Sequence, residues 1–259
     1  MLNDILLITA VSPKGLSELT LKKMSRRAFL GGSTAFAIGA FSSGAQAFPR
    51  WPTGGEKMPN GLIEDPLVFV SIAKDGTVTL VAHRSEMGTG SRTTLPMIIA
   101  DEMEADWSKV KIVQAEGDEP KYGNQNTDGS RSLRHHIQPA RRIGGAVRTM
   151  LQRTAAKEWG VDVSAVTIKD HAARHGTKTL GFGELAEKAM AQPVPAHEDV
   201  TYKKPSEFKY IGQREIQIYD LKDITTGAAQ YGADVTLPGM KYAVVARPPV
   251  VGGKAKSYN

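Results

Sequence analysis

A pair of arginines followed by a long uncharged stretch indicates where a leader segment ends and the folded part of this chain begins. Arg26 and Arg27 stand directly before residues 28–49, which contain no charged side chain. Ala45-Gln46-Ala47 then offers small residues of the kind at which a signal peptidase cleaves. A basic region, an uncharged region and a cleavage site in this order predict a leader over residues 1–47. The folded protein is therefore expected to begin at residue 48.

The leader also matches a particular export route. Ser25-Arg26-Arg27 followed by Phe29-Leu30 fits the twin-arginine pattern. That route carries proteins that have already folded, so we expect a periplasmic mature chain and the twin-arginine translocase as a partner. A buried core helix after a chance arginine pair is the alternative. A permanent anchor is disfavoured because glycine and serine interrupt the stretch, whereas a span needs about 20 predominantly apolar residues.

Composition excludes several kinds of site. None of the 259 residues is a cysteine, which excludes disulfides, thiolate metal sites, iron-sulfur ligands and a cysteine nucleophile from this chain. Half of the net charge of +6 lies in residues 1–47, and the remainder is dispersed without a basic run. A nucleic-acid partner is therefore not expected.

In residues 48–259 some segments show the hydrophobic spacing of a helix with one buried face and others are rich in residues typical of β-strands. The sequence therefore predicts an α+β fold. Pro96 is compatible with its helix only near the first turn. Residues 117–135 are polar and predict a long loop, and residues 171–176 predict a turn between two strands. The pattern predicts strands at 67–72, 77–81, 107–115, 166–168, 179–180, 235–237 and 242–246, and helices at 92–103, 139–159 and 182–190.

The sequence divides into four parts. After the leader over residues 1–47, residues 48–190 form a mixed sheet-and-helix subdomain. Residues 191–209 contain three prolines and dispersed charge, which is typical of a linker. Residues 210–259 form a second unit.

Two glycine-bearing loops are the best candidates for a binding site. Gly88-Thr89-Gly90 lies between a strand and a helix, where successive backbone N–H groups can receive anionic oxygens. The alternative is ordinary strand-to-helix geometry, for which glycine is suited because it readily adopts positive φ. The segment from Thr127 to Arg134 precedes the next helix with three hydroxyls and two guanidinium groups, which suits a phosphate. The alternative there is a solvated helix cap.

Other polar groups are weaker candidates. His135, His136, His171 and His175 could bind a metal, but no further ligand has a supporting spacing, so solvated histidines are the favoured interpretation and no metal site is predicted. The acidic cluster from Asp101 to Asp106 is interpreted as the exposed end of a helix.

At these two loops the chain resembles the molybdenum-binding large subunits of the xanthine dehydrogenase and aldehyde oxidase family. The likeness is greatest to the isoquinoline 1-oxidoreductase beta subunit and the membrane-associated aldehyde dehydrogenases. As in the isoquinoline type, a segment similar to the opening of an a/b hammerhead domain follows the glycine loop. The motifs that carry the resemblance are Ser25-Arg26-Arg27, Glu86–Gly90 with Thr93, Ala100–Trp107, Tyr122–Asn124 with Thr127–Ser132, Gly227–Met240 and Arg247-Pro248-Pro249.

The resemblance implies a cofactor, partners and a reaction. The cofactor would be molybdopterin cytosine dinucleotide, whose own sulfurs hold the molybdenum, and iron-sulfur clusters would lie only on a small [2Fe-2S] partner subunit. A cytochrome c is a further candidate partner. The reaction would hydroxylate an aldehyde or an N-heterocycle with oxygen from water. By analogy, the cofactor contacts would come from Gly88, Thr89, Gly90, Thr127, Gly129, Ser130, Arg131 and Ser132.

The sequence departs from the family pattern at two points. Thr89 stands where the family has glutamine, and its hydroxyl lacks the two N–H donors of a carboxamide. The family's catalytic glutamate belongs to a later glycine-rich motif and is absent, so no catalytic residue is assigned in this chain and we expect a fragment that is inactive alone. A non-catalytic exported binding module and a non-functional remnant are the competing hypotheses.

Overall fold

The computed structural model describes residue 58 and residues 60–213, 216–254 and 256–257. The predicted leader over residues 1–47 lies outside these residues. The chain divides into two compact units, the first ending at Tyr219 and the second beginning at Asp220. Among the described residues, no helix combines the length and apolar character that crossing a membrane requires.

The first unit contains a three-stranded mixed sheet. Strand β1 pairs antiparallel with β2, and β2 pairs parallel with β3. The helix α2 connects the two parallel strands, since parallel neighbours need a crossover. The one-turn helix α1 precedes the sheet. The bounds are α1 Pro66–Phe69, β1 Val70–Ile72, β2 Val78–Ala82, α2 Ser91–Glu102 and β3 Val110–Gln114.

Two short helices, a long helix, a second sheet and a further helix follow in the same unit. The second sheet is an antiparallel meander in the order β4-β5-β6. The long helix α5 packs against α1, α2, α6 and the second sheet, so its buried face belongs to one apolar core shared by both sheets. The bounds are α3 Glu119–Tyr122, α4 Arg131–Arg134, α5 Ile137–Trp159, β4 Thr167–Lys169, β5 Ala172–His175, β6 Lys178–Gly181 and α6 Phe182–Met190.

Helix α5 approaches α2 closely because it has a glycine at the crossing. A Cβ on Gly144 would lie 2.5 Å from the Ile99 carbonyl oxygen and 2.7 Å from the Glu102 Cβ. On the next residue, Gly145, a Cβ would lie 2.6 Å from Val200 Cγ1. The two glycines let one helix contact both α2 and the segment near residue 200.

The acidic residues at the end of α2 are buried, which corrects their interpretation as an exposed helix end. Asp101 accepts hydrogen bonds from Lys203 Nζ at 2.6 Å and from the backbone N–H groups of residues 209–211. Glu102 pairs with Arg141 of α5. Lys203 and Lys209, in the segment predicted as a linker, therefore contact the end of α2 within the first unit.

The α+β class is confirmed, and several element predictions need correction. Asp65 caps α1 by accepting from the Leu67 N–H at 2.8 Å, and Pro66 at the first helical position favours the turn, so the first strand starts at Val70. Residues 172–175 form a strand rather than a turn. The predicted loop 117–135 contains α3 and α4. Pro96 lies in the second turn of α2.

The second unit contains a short helix, α7 (Leu221–Thr226), and a 3-10 turn at Gly232–Asp234. The strands predicted at 235–237 and 242–246 are not formed among its described residues. A strand needs a hydrogen-bonded neighbour, and neither segment has one there. The side chains of Tyr242 and Val244 are 80% and 96% exposed.

Gly144→Ala tests the close approach of α2 and α5. We expect the free energy of unfolding to fall by about 1–3 kcal/mol, because the added methyl group must displace the Ile99 backbone. Urea unfolding of the full chain measures the loss. Gly117→Ala is the matched control, since a Cβ at that position would have no atom within 4 Å. Equal stability of the two variants would contradict the close packing at Gly144.

Candidate functional site

A buried arginine joins the two predicted loops. Arg84 follows β2 and is fully buried. Its Nε donates to Ser132 Oγ at 3.2 Å, and its Nη1 donates to the Asn124 side-chain oxygen at 2.7 Å. Its Nη2 donates to the Asn126 carbonyl oxygen. The second loop is therefore folded around the residue that leads into the first loop.

A second hydrogen bond also joins the two loops. Thr127 Oγ1 donates to the carbonyl oxygen of Ser85 at 2.7 Å. Helices α2 and α4, which follow the two loops, also contact each other. Local residue patterns indicated both loops but not Arg84, because the partners of Arg84 lie at least 40 positions further along the chain.

The second loop contains two successive residues in the left-handed region. Gly129 has φ 50° and Ser130 has φ 56°. A residue with a side chain is strained there, and such strain is often found at functional sites. Ser130 is exposed at the start of α4, and the partly exposed Arg131 pairs with Asp128. The loop thus presents a hydroxyl and a guanidinium group at its surface.

The first loop is closed by a carboxylate of its own. Glu86 accepts hydrogen bonds from the backbone N–H groups of Gly90 and Arg92, each at 3.0 Å. Partial burial acts to raise the pKa of Glu86, but backbone N–H groups from Arg92 to Gly88 outweigh it, so the pKa is lowered. These N–H groups, which were expected to receive a ligand's oxygens, already have an anionic acceptor.

The predicted site residues differ in exposure. Ser132 is buried and Thr127 is half-buried, and both hydroxyls are used inside the protein. The more accessible groups lie at the surfaces of the two loops and include Gly88, Thr89, Gly129, Ser130 and, in part, Arg131.

Two buried histidines lie behind the loops. The rings of His83, at the end of β2, and His136, at the start of α5, have centroids 4.9 Å apart. Burial, with nearby positive charge, lowers the pKa of His83 well below its usual range and that of His136 to about 4. Both line a small apolar cavity with Phe69 and Leu95. Both are therefore neutral core residues at neutral pH, which corrects the interpretation of His136 as a solvated histidine.

His171 also differs from expectation, since it is buried in the first unit. Its Nε2 donates to the Gly76 carbonyl oxygen at 2.8 Å, and its Nδ1 accepts from the Asp106 N–H at 3.1 Å. It therefore connects three turns. In the part of the chain that the structure describes, no group of three or more histidine, aspartate or glutamate side chains is arranged to hold a metal ion.

Arg84→Lys tests whether the guanidinium organises the second loop. A lysine keeps the charge but cannot reach Ser132, Asn124 and Asn126 together. We expect amide hydrogen exchange in residues 124–132 to accelerate at least about tenfold, the equivalent of 1.4 kcal/mol. Arg174→Lys on the exposed face of β5 serves as the control. Unchanged exchange in the loop would show that Arg84 does not order it.

His136→Gln tests the buried histidine. Unfolded His136 takes up a proton near pH 6.5, whereas the folded side chain does so near pH 4, so the free energy of unfolding falls as the pH drops through this window. Between neutral pH and about pH 4, the free energy of unfolding should therefore fall by up to about 3 kcal/mol less in the variant than in the wild type. Urea unfolding between neutral pH and about pH 4 measures the slope. His135→Gln is the control, and equal slopes in both variants would contradict the assignment.

Comparison with known proteins supplies the family. The chain is 34% identical over 242 residues to the membrane-bound aldehyde dehydrogenase [pyrroloquinoline-quinone] of Gluconacetobacter polyoxogenes, which covers 90% of this chain and 31% of the relative. It is 28% identical over 271 residues to the isoquinoline 1-oxidoreductase subunit beta of Brevundimonas diminuta, which covers 89% of this chain and 34% of the relative.

Among solved structures, the quinoline 2-oxidoreductase of Pseudomonas putida 86 aligns with a TM-score of 0.37 and 22% identity over 51% of this chain and 17% of that one. The chain spans about a third of the length of the curated relatives that it matches. Residues 21–230, which include both loops, match the family described as molybdopterin cofactor-binding domain. The chain belongs to this molybdopterin cofactor-binding family.

Proposed function

We propose that this chain is part of the large subunit of an exported molybdenum hydroxylase. The enzyme would oxidise an aldehyde or an N-heterocycle with water as the oxygen source and pass electrons to an iron-sulfur subunit. The observation that carries the proposal is the joining of two glycine-bearing loops through Arg84 inside the region that matches the cofactor-binding family.

The residues of the two loops fit a phosphate-bearing pterin cofactor. Gly88 has no atom within 4 Å of a Cβ position, so a ligand can approach its backbone closely. Ser130 offers a hydroxyl and Arg131 a guanidinium group for phosphate oxygens. Thr89 is exposed at the surface of the first loop. When bound, the cofactor supplies the molybdenum centre for two-electron oxidation, and the role of these residues is to hold and orient it.

The finer parts of the proposal concern the cofactor form, the partners and the location. We propose the cytosine dinucleotide form, with contacts from Gly88–Gly90, Gly129, Ser130 and Arg131. Thr127 and Ser132 would support the second loop from inside, because their hydroxyls bind Ser85 and Arg84. Iron-sulfur clusters need cysteine ligands, and these 259 residues contain none, so the clusters would lie on a [2Fe-2S] partner. The Arg26-Arg27 leader supports export to the periplasm by the twin-arginine route.

A second cofactor must be considered, because the name of one relative includes pyrroloquinoline quinone. The two cofactors are chemically distinguishable. A molybdopterin cytosine dinucleotide contains molybdenum and releases cytidine monophosphate on acid hydrolysis, whereas a quinone contains neither. Analysis of the bound cofactor therefore separates the two.

The cofactor assignment is tested on chain purified, with whatever remains bound to it, from its own host. We expect molybdenum close to one atom per chain and an equal amount of cytidine monophosphate after hydrolysis. Arg131→Glu should reduce both several-fold, because it reverses the charge at the phosphate contact. Arg174→Glu, a charge-matched change on β5, should not. Wild-type protein without molybdenum, or with the quinone in its place, would refute the proposal.

Export is tested by replacing Arg26 and Arg27 with lysine. The charge of the leader is unchanged, so a general secretory signal should tolerate the double substitution, whereas the twin-arginine route should not. We expect the variant to accumulate in the cytoplasm, as measured by cell fractionation. Lys22 and Lys23, each replaced with arginine, provide the control. Normal export of the R26K/R27K variant would exclude this route.

A further inference from the structure

The turn that opens α2 contains an anion supplied by the chain itself. Glu86 lies four residues before Gly90, and its two carboxylate oxygens bind different backbone N–H groups. Oε1 accepts from Gly90 and Oε2 from Arg92, each at 3.0 Å. The carboxylate thus bridges the end of the loop and the first turn of the helix.

The backbone next to this carboxylate has an unusual conformation. Gly88 and Gly90 have φ 85° and 75°, which turns successive N–H groups toward one point. The first N–H groups of a helix have no partner within the helix and carry partial positive charge. Gly90 caps α2 without a side chain of its own, so the acceptor must come from elsewhere. Glu86 supplies that acceptor.

Thr89 is connected to the same group. Its Oγ1 lies 3.5 Å from Glu86 Oε1 and 3.3 Å from Ser91 Oγ. The Thr89 side chain and the loop backbone therefore both contact the Glu86 carboxylate. The exposed surface of the loop, formed by Met87, Gly88 and Thr89, remains open to a ligand.

We infer that Glu86 is a positioning residue that holds the Gly88–Gly90 loop in its binding shape by acting as the loop's internal anion. A bound cofactor then meets the outer surface of this loop, and its phosphate oxygens are received by the Ser130-Arg131 loop. The second statement rests on the proposed function, whereas the role of Glu86 in the loop does not.

The same hydrogen bonds would also be seen if Glu86 had a temporary role. Glu86 could be a placeholder that a phosphate displaces, in which case the Gly90 and Arg92 N–H groups would bind the ligand. The two distances of 3.0 Å and the bridging of two N–H groups by one carboxylate favour a permanent role. A monoanion held within the chain also has no translational entropy to lose, unlike a dissolved phosphate.

Removal and replacement of the carboxylate provide the test, using the full chain without cofactor. Glu86→Ala should lower the melting temperature by about 3 °C, as expected for loss of a helix cap in a chain of this size. Formate at tens of millimolar should restore most of the loss in Glu86→Ala but change neither wild type nor Glu86→Gln. Glu187→Ala, on an exposed surface, is the control.

Amide NMR distinguishes the permanent anion from the placeholder. With ¹⁵N-glycine and ¹⁵N-arginine labels, pyrophosphate should leave the Gly90 and Arg92 amide shifts of the wild type unchanged and should move them in Glu86→Ala. Displacement of Glu86 would instead move them in the wild type, which would overturn the inference. A Glu86→Ala variant that melts like the wild type and ignores formate would overturn it as well.

A last measurement relates the loop to the cofactor. Chain purified from its host should contain less molybdenum in Glu86→Ala than in the wild type, and Glu86→Gln, which keeps one acceptor oxygen, should lie between them. If the wild type contains no molybdenum, the proposed function fails, whereas the formate and NMR results on Glu86 stand unchanged. The two failures are therefore distinguishable.

Discussion

The first unit depends on a charged clasp between the end of α2 and the chain near residue 203. Lys203 Nζ is buried with Asp101 at 2.6 Å and with Glu104 at 2.8 Å. Burial acts to raise the pKa of Asp101, but Lys203 and three backbone N–H groups outweigh it and lower the pKa. Removing one partner of such a group would leave the other charge buried and unpaired, which is strongly destabilising. The clasp fixes the C-terminal end of the helix whose N-terminal end forms the site.

The two ends of α2 are thus stabilised by charges of the chain itself. At the first turn, Glu86 occupies backbone N–H groups, and in the core Gly144 lets α5 lie against the last turn of the helix, at Ile99 and Glu102. A ligand at the loops would therefore meet a support that is largely formed before it arrives. Such preorganisation lowers the ordering cost of binding.

Local patterns predicted the three longer helices well but missed the short ones. Helix α6 has the bounds 182–190 that its periodicity indicated, and α5 begins two residues earlier than expected. The same patterns also drew attention to the two loops. They failed where the deciding partner is distant in sequence. Arg84 finds its acceptors 40 to 48 positions away, and Asp101 finds Lys203 102 positions away. The burial of His136 and His171 was missed for the same reason, because the local sequence around a histidine does not show which distant residues will cover it.

The positive charge of Arg84 has a consequence separate from its hydrogen bonds. The groups that accept from it are neutral oxygens of Ser132, Asn124 and Asn126, so its positive charge is dispersed among dipoles and not cancelled by a contacting carboxylate. Dissolved ions screen surface charges within about 10 Å at 0.1 M salt but penetrate poorly to a fully buried group. The charge of Arg84 is opposed only at longer range, by the carboxylates of Asp128 and Glu119. Because Arg84 is buried, its charge will still act on its surroundings at ionic strengths that screen the exposed arginines nearby.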